Sequence, residues 1–224
     1  EPGERVSLPD HAKTLANIAN SKGFTFYNGQ LAELMVADAQ RHNAPFSLDD
    51  FSKHKAEWVA PISQQLGEYQ LHEIPPNGQG IMALIALAII DRVGLQDYPI
   101  DSADSIHLQV EAIRLAYTQI ERHLADPDYM TLSSQDLLDP ARIDALFKQI
   151  DLHHSVETGH ETGASPDTVY LTAADAKGMM VSFIQSNYRG FGSGIVIPGT
   201  GISMQNRGSG FVLENGHPNQ VGGG

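Results

Sequence analysis

Apolar residues recur at helical spacing through the first two thirds of the chain and at strand spacing beyond it. Pro9 and Asp10 open a helix with Ala12, Leu15, Ala16 and Ala19 at its apolar positions, and Gly23 has the chemistry of a helix C-cap. A second helix starts near Gln30, with Leu31, Leu34, Met35 and Ala39 on one face. Ser47-Leu48-Asp49-Asp50 has the form of a capping box with Asp in the usual Glu position. Glu68 to Ile74 reads as β and stops at Pro75-Pro76. The turn Asn77-Gly78-Gln79-Gly80 then feeds an apolar helix beginning at Ile81. From Ser102 to Leu124, the residues Ile106, Val110, Ile113, Tyr117, Ile120 and Leu124 alternate four and three apart. That stripe predicts a long amphipathic helix with these residues as its core seam, and Glu111, Glu121 and Arg122 as its solvated face. A further helix spans roughly Pro140 to Ile150.

The texture then changes. Residues from His153 to Asp167 are polar, Gly-rich and aperiodic, as in an exposed linker. Thr168–Ala174 and Met179–Ser186 have strand character around Asp175-Ala176-Lys177-Gly178, which predicts a hairpin with a four-residue connection. The remainder is dense in glycine, including Gly190-Phe191-Gly192-Ser193-Gly194 and Gly199-Thr200-Gly201.

Composition narrows the function classes. Hydrophobic residues make up 41% of 224 and charged ones 18%, a globular balance. Fourteen Lys and Arg against 27 Asp and Glu leave a net charge of −13. That field disfavours nucleic acid and anionic membrane surfaces as partners. The absence of cysteine removes disulfides, zinc–thiolate sites and thiol nucleophiles together. No run approaches the roughly twenty apolar residues that span a bilayer. Glu1-Pro2-Gly3 has no signal-peptide pattern, and Gly222-Gly223-Gly224 closes no element. The chain therefore reads as a fragment, which leaves the compartment open between cytoplasm and periplasm.

The junction of the polar linker with Asp167-Thr168 and a strand is the most informative point for chemistry. A threonine hydroxyl is a weak nucleophile at neutral pH and needs an adjacent base. If the chain is cut before Thr168, the new α-amine supplies one, with an unperturbed pKa of about 7.7–8.0. The same hydroxyl can make the cut by attacking the Asp167 carbonyl in an N-to-O acyl shift. By local texture alone, most Asp-Thr pairs at strand starts are caps or turns.

From Phe24 onward the chain resembles the γ-glutamyltransferase family of N-terminal-nucleophile hydrolases and its acylase-like branch. The resemblance rests on Phe26-Tyr27-Asn28-Gly29, Trp58-Val59-Ala60-Pro61-Ile62-Ser63, Pro75 to Gly80, Asp126-Pro127-Asp128, and Asp167-Thr168-Val169-Tyr170-Leu171 through Ile195. It implies an α+β fold, a four-layer αββα sandwich made by autocleavage of one precursor. Residues 1–167 would be the late, mostly helical part of the large subunit, and 168–224 the β-rich start of the small one. Thr168 matches the nucleophile, Asp167–Thr168 the cleavage site, and Ser186 a hydroxyl that hydrogen-bonds the nucleophile. The positions that read a glutamate head depart from the transferase pattern, because Tyr188, Arg207 and Gly210 stand where an Asn, a Gln and an Asp would. Gln205-Asn206-Arg207-Gly208 is similar to the branch that includes cephalosporin-acylase-type enzymes. The implied partners are a small-molecule amide and the rest of the same precursor, with a homo-oligomer also admissible. No cofactor or metal is implied. The family's carboxylate-binding Arg falls upstream of Glu1 and its oxyanion Gly-Gly pair downstream of Gly224.

Other constellations carry blander readings. Gly190 to Gly194 lacks the Lys-Ser/Thr ending and following helix of a phosphate loop and reads as a tight turn near the nucleophile. His153, His154 and His160 match no zinc spacing. Arg114 and Asp126 read as structural ion-pair members, and Tyr188 as either a rim aromatic or a substrate contact. A non-catalytic binding member of the fold is the alternative function.

Overall fold

A computed structural model describes residues 3–156 and 168–222. In chain order its elements are α1 (Pro9–Asn20), α2 (Phe24–Asn28), α3 (Gln30–Arg41), α4 (Leu48–Ser52), β1 (Ile62–Leu66), β2 (Tyr69–Glu73), α5 (Gly80–Val93), α6 (Ala103–His123), α7 (Ser134–Leu137), α8 (Pro140–Phe147), β3 (Val169–Ala174) and β4 (Met180–Gln185). The elements form two compact units, Glu1–Glu57 with Thr162–Gly210, and Trp58–Glu161 with Phe211–Gly224.

The second unit is built on α5. This helix is apolar on nearly every side, and Ile81, Leu84, Ile85 and Ile89 are fully buried. It packs on α6, α8 and the β1–β2 hairpin, in a core that also takes Ala112, Leu115, Ala116, Ile120, Leu137 and Ile143. Burying one such aliphatic side chain is worth about 1.5–3 kcal/mol, so this cluster dominates the unit. Ser102 caps α6 by accepting the Ser105 N–H at 3.2 Å.

Two expectations for α6 are corrected. The stripe read as its core seam is largely in solvent, with Ile106 50%, Val110 46%, Ile113 41% and Tyr117 41% exposed. The buried face is the opposite one, and it includes Glu111 at 1% exposure, where the sequence pattern places it on the solvated side. The pattern misled because α6 is apolar on both faces: Leu108, Ala112, Leu115 and Ala116 carry the packing, and the small alanines let α5 approach.

In the first unit, Leu31 and Met35 of α3 pack with Ile197 and with half-buried Ile18, Phe26, Phe51, Ile202 and Met204. Gly23 ends α1 as expected, at φ +89 with its N–H on the Ile18 carbonyl at 2.9 Å. The Asp50 carboxylate accepts from the Ser47 N–H at 2.7 Å and its hydroxyl at 2.8 Å, so the capping box forms. Strands β3 and β4 pair antiparallel from Val169↔Gln185 to Ala174↔Met180, joined by residues 175–179, one more than expected. Every residue of both strands is exposed.

The architecture is thus mixed α+β with two two-stranded sheets among the described residues. A four-layer αββα sandwich is not visible in it. The helix α2, the strand β1 that pairs with β2, and α7 were not anticipated. Each is too short to show a period, and the β1 sequence ISQQL is mostly polar.

Candidate active site

The register of the β3–β4 hairpin does the first step of assembly. With Val169 opposite Gln185, the residues just outside the ladder, Thr168 and Ser186, face one another. The Thr168 hydroxyl donates to Ser186 Oγ at 3.0 Å. Alternation then gives the hairpin a hydroxyl-bearing face, with Tyr170 Oη and Ser182 Oγ 3.0 Å apart, and an apolar face of Val169, Leu171, Val181 and Phe183.

Ser186 Oγ also accepts the Tyr188 N–H at 2.9 Å. Tyr188 sits at φ +81, a region that costs a bulky L-residue about 1–3 kcal/mol unless its surroundings impose it. Its surroundings do. The Asn206 N–H donates to the Asn187 carbonyl at 3.1 Å, and Asn206 Oδ1 accepts the Arg189 N–H at 3.0 Å. The chain on either side of Tyr188 is thereby stitched to the segment that carries Arg207. Gly192 is needed nearby: at φ +70, a Cβ there would meet the Met204 carbonyl oxygen at 2.5 Å.

The result is a small cationic platform. The Arg207 guanidinium lies 4.6 Å from the Tyr188 ring centroid, and that of Arg189 lies 5.3 Å away. Both are within cation–π range, worth about 0.5–1 kcal/mol each at an exposed site. Neither guanidinium has a carboxylate partner among the described residues of its unit. Gly210 completes the cluster, since a Cβ built on it would lie 3.7 Å from Tyr188 Oη.

The structure therefore brings Thr168, Ser186, Tyr188, Arg207 and Gly210 into one connected neighbourhood. Asp167 and His160 lie outside the described residues. Arg189, which no motif marks, and Asn206, marked only as part of Gln205-Asn206-Arg207-Gly208, also belong to this neighbourhood. Arg189 was legible only as the residue beside Tyr188, and nothing in the sequence pairs Asn206 with residues 187–189. His153 and His154 are engaged locally: their N–H groups donate to the Asp151 carboxylate at 2.7 and 3.1 Å, which with the His154 ring holds its pKa below the usual range. Among the described residues no three His, Cys, Asp or Glu side chains form a metal-binding group, and no helix is long and apolar enough to cross a membrane. A groove of about 390 Å³, lined by Gln119, Arg122, His123 and Arg142, belongs to the other unit. There burial, and then the charges of Arg142 and Arg122, push the His123 pKa down.

Comparison with known proteins bears on what this neighbourhood is. The chain is 34% identical over 220 residues to the glutathione hydrolase-like YwrD proenzyme of Bacillus subtilis, covering 98% of this chain and 42% of that protein. It is 36% identical over 216 residues to the oxamate amidohydrolase proenzyme of Klebsiella pneumoniae, covering 96% and 40%. Among solved structures, cephalosporin acylase from Bacillus halodurans superposes with a TM-score of 0.84 at 42% identity, over 98% of this chain and 40% of that one. The chain thus spans about two fifths of the length of these relatives. The family model described as Gamma-glutamyltranspeptidase matches residues 1–223, and the chain belongs to that family.

Proposed function

We propose that this chain is the central part of an autoprocessing amide hydrolase or acyltransferase, with Thr168 as its nucleophile and with the large and small subunits meeting at Asp167–Thr168. The observation that carries the reading is the Thr168 hydroxyl held 3.0 Å from Ser186 Oγ at the mouth of the β3–β4 hairpin. In the precursor, Thr168 Oγ attacks the Asp167 carbonyl, the peptide nitrogen leaves as the new α-amine, and water hydrolyses the resulting ester. That amine, with an unperturbed pKa of about 7.7–8.0, then takes the proton from Oγ as the hydroxyl attacks a substrate amide. The proton passes to the departing amine, and water or a second amine resolves the acyl ester. Ser186 keeps a hydrogen-bonding hydroxyl beside Oγ throughout. In the whole protein the hairpin would take its place in the αββα sandwich of the family, with residues 1–167 and 168–224 on the two sides of the cut.

The acyl group in this reading ends in a carboxylate and lacks the ammonium of a γ-glutamyl head. Arg207, held on Tyr188 without an acidic partner among the described residues of its unit, offers a planar fork for a carboxylate and repels a cation. The relative named for oxamate acts on an amide whose acyl part carries a carboxylate, which is consistent with this preference. Autoprocessing is tested on the full-length precursor by denaturing gel and N-terminal sequencing. The expected result is two chains, the smaller starting at Thr168, with Thr168→Ala remaining whole and Thr168→Ser still cutting. Cleavage of the Ala variant at the same bond would remove Thr168 from the mechanism, and an intact wild-type chain would leave the non-catalytic reading in its place.

A further inference from the structure

One groove in the unit built on α5 gathers positive charge. It encloses about 390 Å³ between the end of α6 and α8, and Gln119, Arg122, His123, Arg142 and Leu146 line it. Arg122 and His123 stand in the last turn of α6, where the helix dipole favours a cation. Arg142 has no such reason for its place, because it occupies the first turn of α8, the end at which the dipole repels a cation. Its guanidinium is nevertheless fixed. Nη1 donates to Oε1 of Gln119 at 3.0 Å, and Gln119 is itself only 5% exposed. A buried amide, and not a carboxylate, therefore sets this arginine in the groove wall.

The carboxylates of the surrounding chain are committed elsewhere. Asp136 accepts from Ser133, Asp139 from the N–H groups of Ala141 and Arg142, and Asp144 pairs with Arg92. Among the described residues no ion pair engages Arg122 or Arg142. The His123 imidazole registers the result: burial, then Arg142, Arg122 and more weakly His217 push its pKa down, as cations crowding a ring without a counter-anion must. His217 reaches this region by donating from Nε2 to the Glu121 carbonyl at 2.8 Å, while its Nδ1 accepts the Asn219 N–H at 3.0 Å.

In a chain with 27 acidic against 14 basic side chains, cations that converge without carboxylates run against the composition. The net charge of −13 also narrows what could neutralise them, since it repels extended polyanions and leaves a small anion. Two guanidinium forks and an imidazole match the several oxygens of one phosphate. The volume lies in the range of small-molecule sites, about 300–1,000 Å³, and Leu146, buried beneath, offers an apolar wall.

We propose that this groove binds a phosphate dianion, free or as the monoester of a small molecule, between Arg142 and Arg122 with His123 as a third donor. The proposal is independent of the role given to Thr168, because none of these residues belongs to the unit that carries it.

The test is calorimetric titration of the full-length protein with glycerol 3-phosphate, inorganic phosphate and succinate at low ionic strength, where screening is weak. One saturable site is expected for the phosphates. Tighter binding of glycerol 3-phosphate marks an ester as the occupant, and equal or tighter binding of inorganic phosphate marks the free ion; both uphold the site. Arg142→Gln and Arg122→Gln should each weaken binding tenfold or more. Lys148→Gln, which removes the same charge just beyond α8 and outside the groove, should change it less than twofold. The bound dianion should also raise the His123 pKa, followed by NMR of labelled histidine and assigned with His123→Gln. No saturable binding at millimolar phosphate would overturn the proposal. So would a loss in Lys148→Gln equal to that in Arg142→Gln, succinate binding as tightly as either phosphate, or a His123 resonance unmoved at saturation.

Discussion

The surroundings of α5 and the β3–β4 hairpin treat their apolar residues in opposite ways. Around α5 the aliphatic side chains find one another within the chain, and Ile81, Ile85, Ala112 and Leu115 are at most 2% exposed. Around Thr168 they do not: Leu171 is 47%, Val181 48%, Phe183 48% and Ile184 65% exposed, and both strands stand in solvent on both faces. A two-stranded hairpin is marginal in water by itself. Order near Thr168 comes instead from polar stitching: the Thr168–Ser186 contact, the Ser186–Tyr188 bond and the Asn206 bridge. The lesson is that the α5 region carries its own core, whereas the hairpin beside Thr168 carries its geometry in hydrogen bonds and leaves its apolar side chains uncovered among the described residues. The α6 stripe of Ile106, Val110, Ile113 and Tyr117 shares that exposure.

The sharpest way to break this contrast is to truncate one residue on each side in the full-length protein. Leu115→Ala should cost about 2–5 kcal/mol, because it opens a cavity in a finished core. Phe183→Ala should cost about 3–5 kcal/mol if the rest of the protein covers the hairpin's apolar face. Urea denaturation measures both. A loss below about 0.5 kcal/mol for Phe183→Ala would mean that the face stays in water.

A smaller effect sharpens the reading of the cationic platform. Gly210→Asp meets no clash, since its Cβ would find only Tyr188 Oη at 3.7 Å. The new carboxylate should occupy Arg207 and weaken recognition of a carboxylate-bearing acyl group by about tenfold or more in kcat/KM. The ratio of glutaryl to γ-glutamyl amide hydrolysis is the readout. Wild-type activity that is equal or higher on the γ-glutamyl amide would defeat the specificity claim and leave Thr168 untouched. Smaller again is Ser186→Ala, which removes the hydroxyl that accepts from both Thr168 and the Tyr188 N–H, the bond to Thr168 being worth about 1 kcal/mol. We expect roughly fivefold slower acylation, with Ser186→Thr near wild type; an unchanged Ser186→Ala would show that the hydroxyl contributes nothing.

The smallest effect concerns helix ends rather than the site. Hydrogen bonds from Ser47 and Ser133 hold the carboxyls of Asp50 and Asp136 below their ordinary pKa. The folded-state values are depressed, so these caps contribute stability that is fully present above about pH 4 and is lost as pH falls through the lower folded values. Ser133→Ala should therefore flatten the acid limb of a stability–pH curve, Ser47→Ala less so because the Ser47 backbone N–H that chiefly holds Asp50 remains, and both should leave the neutral region nearly parallel to wild type. An acid limb of Ser133→Ala identical to wild type would mean that the Ser133 hydroxyl does not contribute.

Much of this was legible without coordinates, for identifiable reasons. Local chemistry marked the Gly23 terminus, the Ser47–Asp50 box and the apolar helix from Ile81, because each depends on residues within a turn of one another. The alternation on either side of Asp175 to Gly178 marked the hairpin, but a four-residue connection would pair Thr168 with Gln185; the five-residue connection of residues 175–179 is what places Thr168 opposite Ser186. The motifs around Asp167-Thr168 and Gly190 to Gly194 pointed to the family. Periodicity could not say which apolar face of α6 meets α5, since both faces satisfy a helical repeat. It also could not bury Glu111, whose partners Arg114 and Val156 lie 3 and 45 residues away.

What the sequence determined by itself was therefore the longer helices and the hairpin that follows them, the family resemblance, and Thr168, Ser186, Tyr188, Arg207 and Gly210 as candidate site residues. Only the tertiary structure decided that Arg207 lies on the Tyr188 ring, that Asn206 ties two segments together beneath them, and that a buried carboxylate holds Val156. Hydrogen bonds and ring contacts between residues distant in sequence depend on how segments meet in space, and no local pattern encodes that.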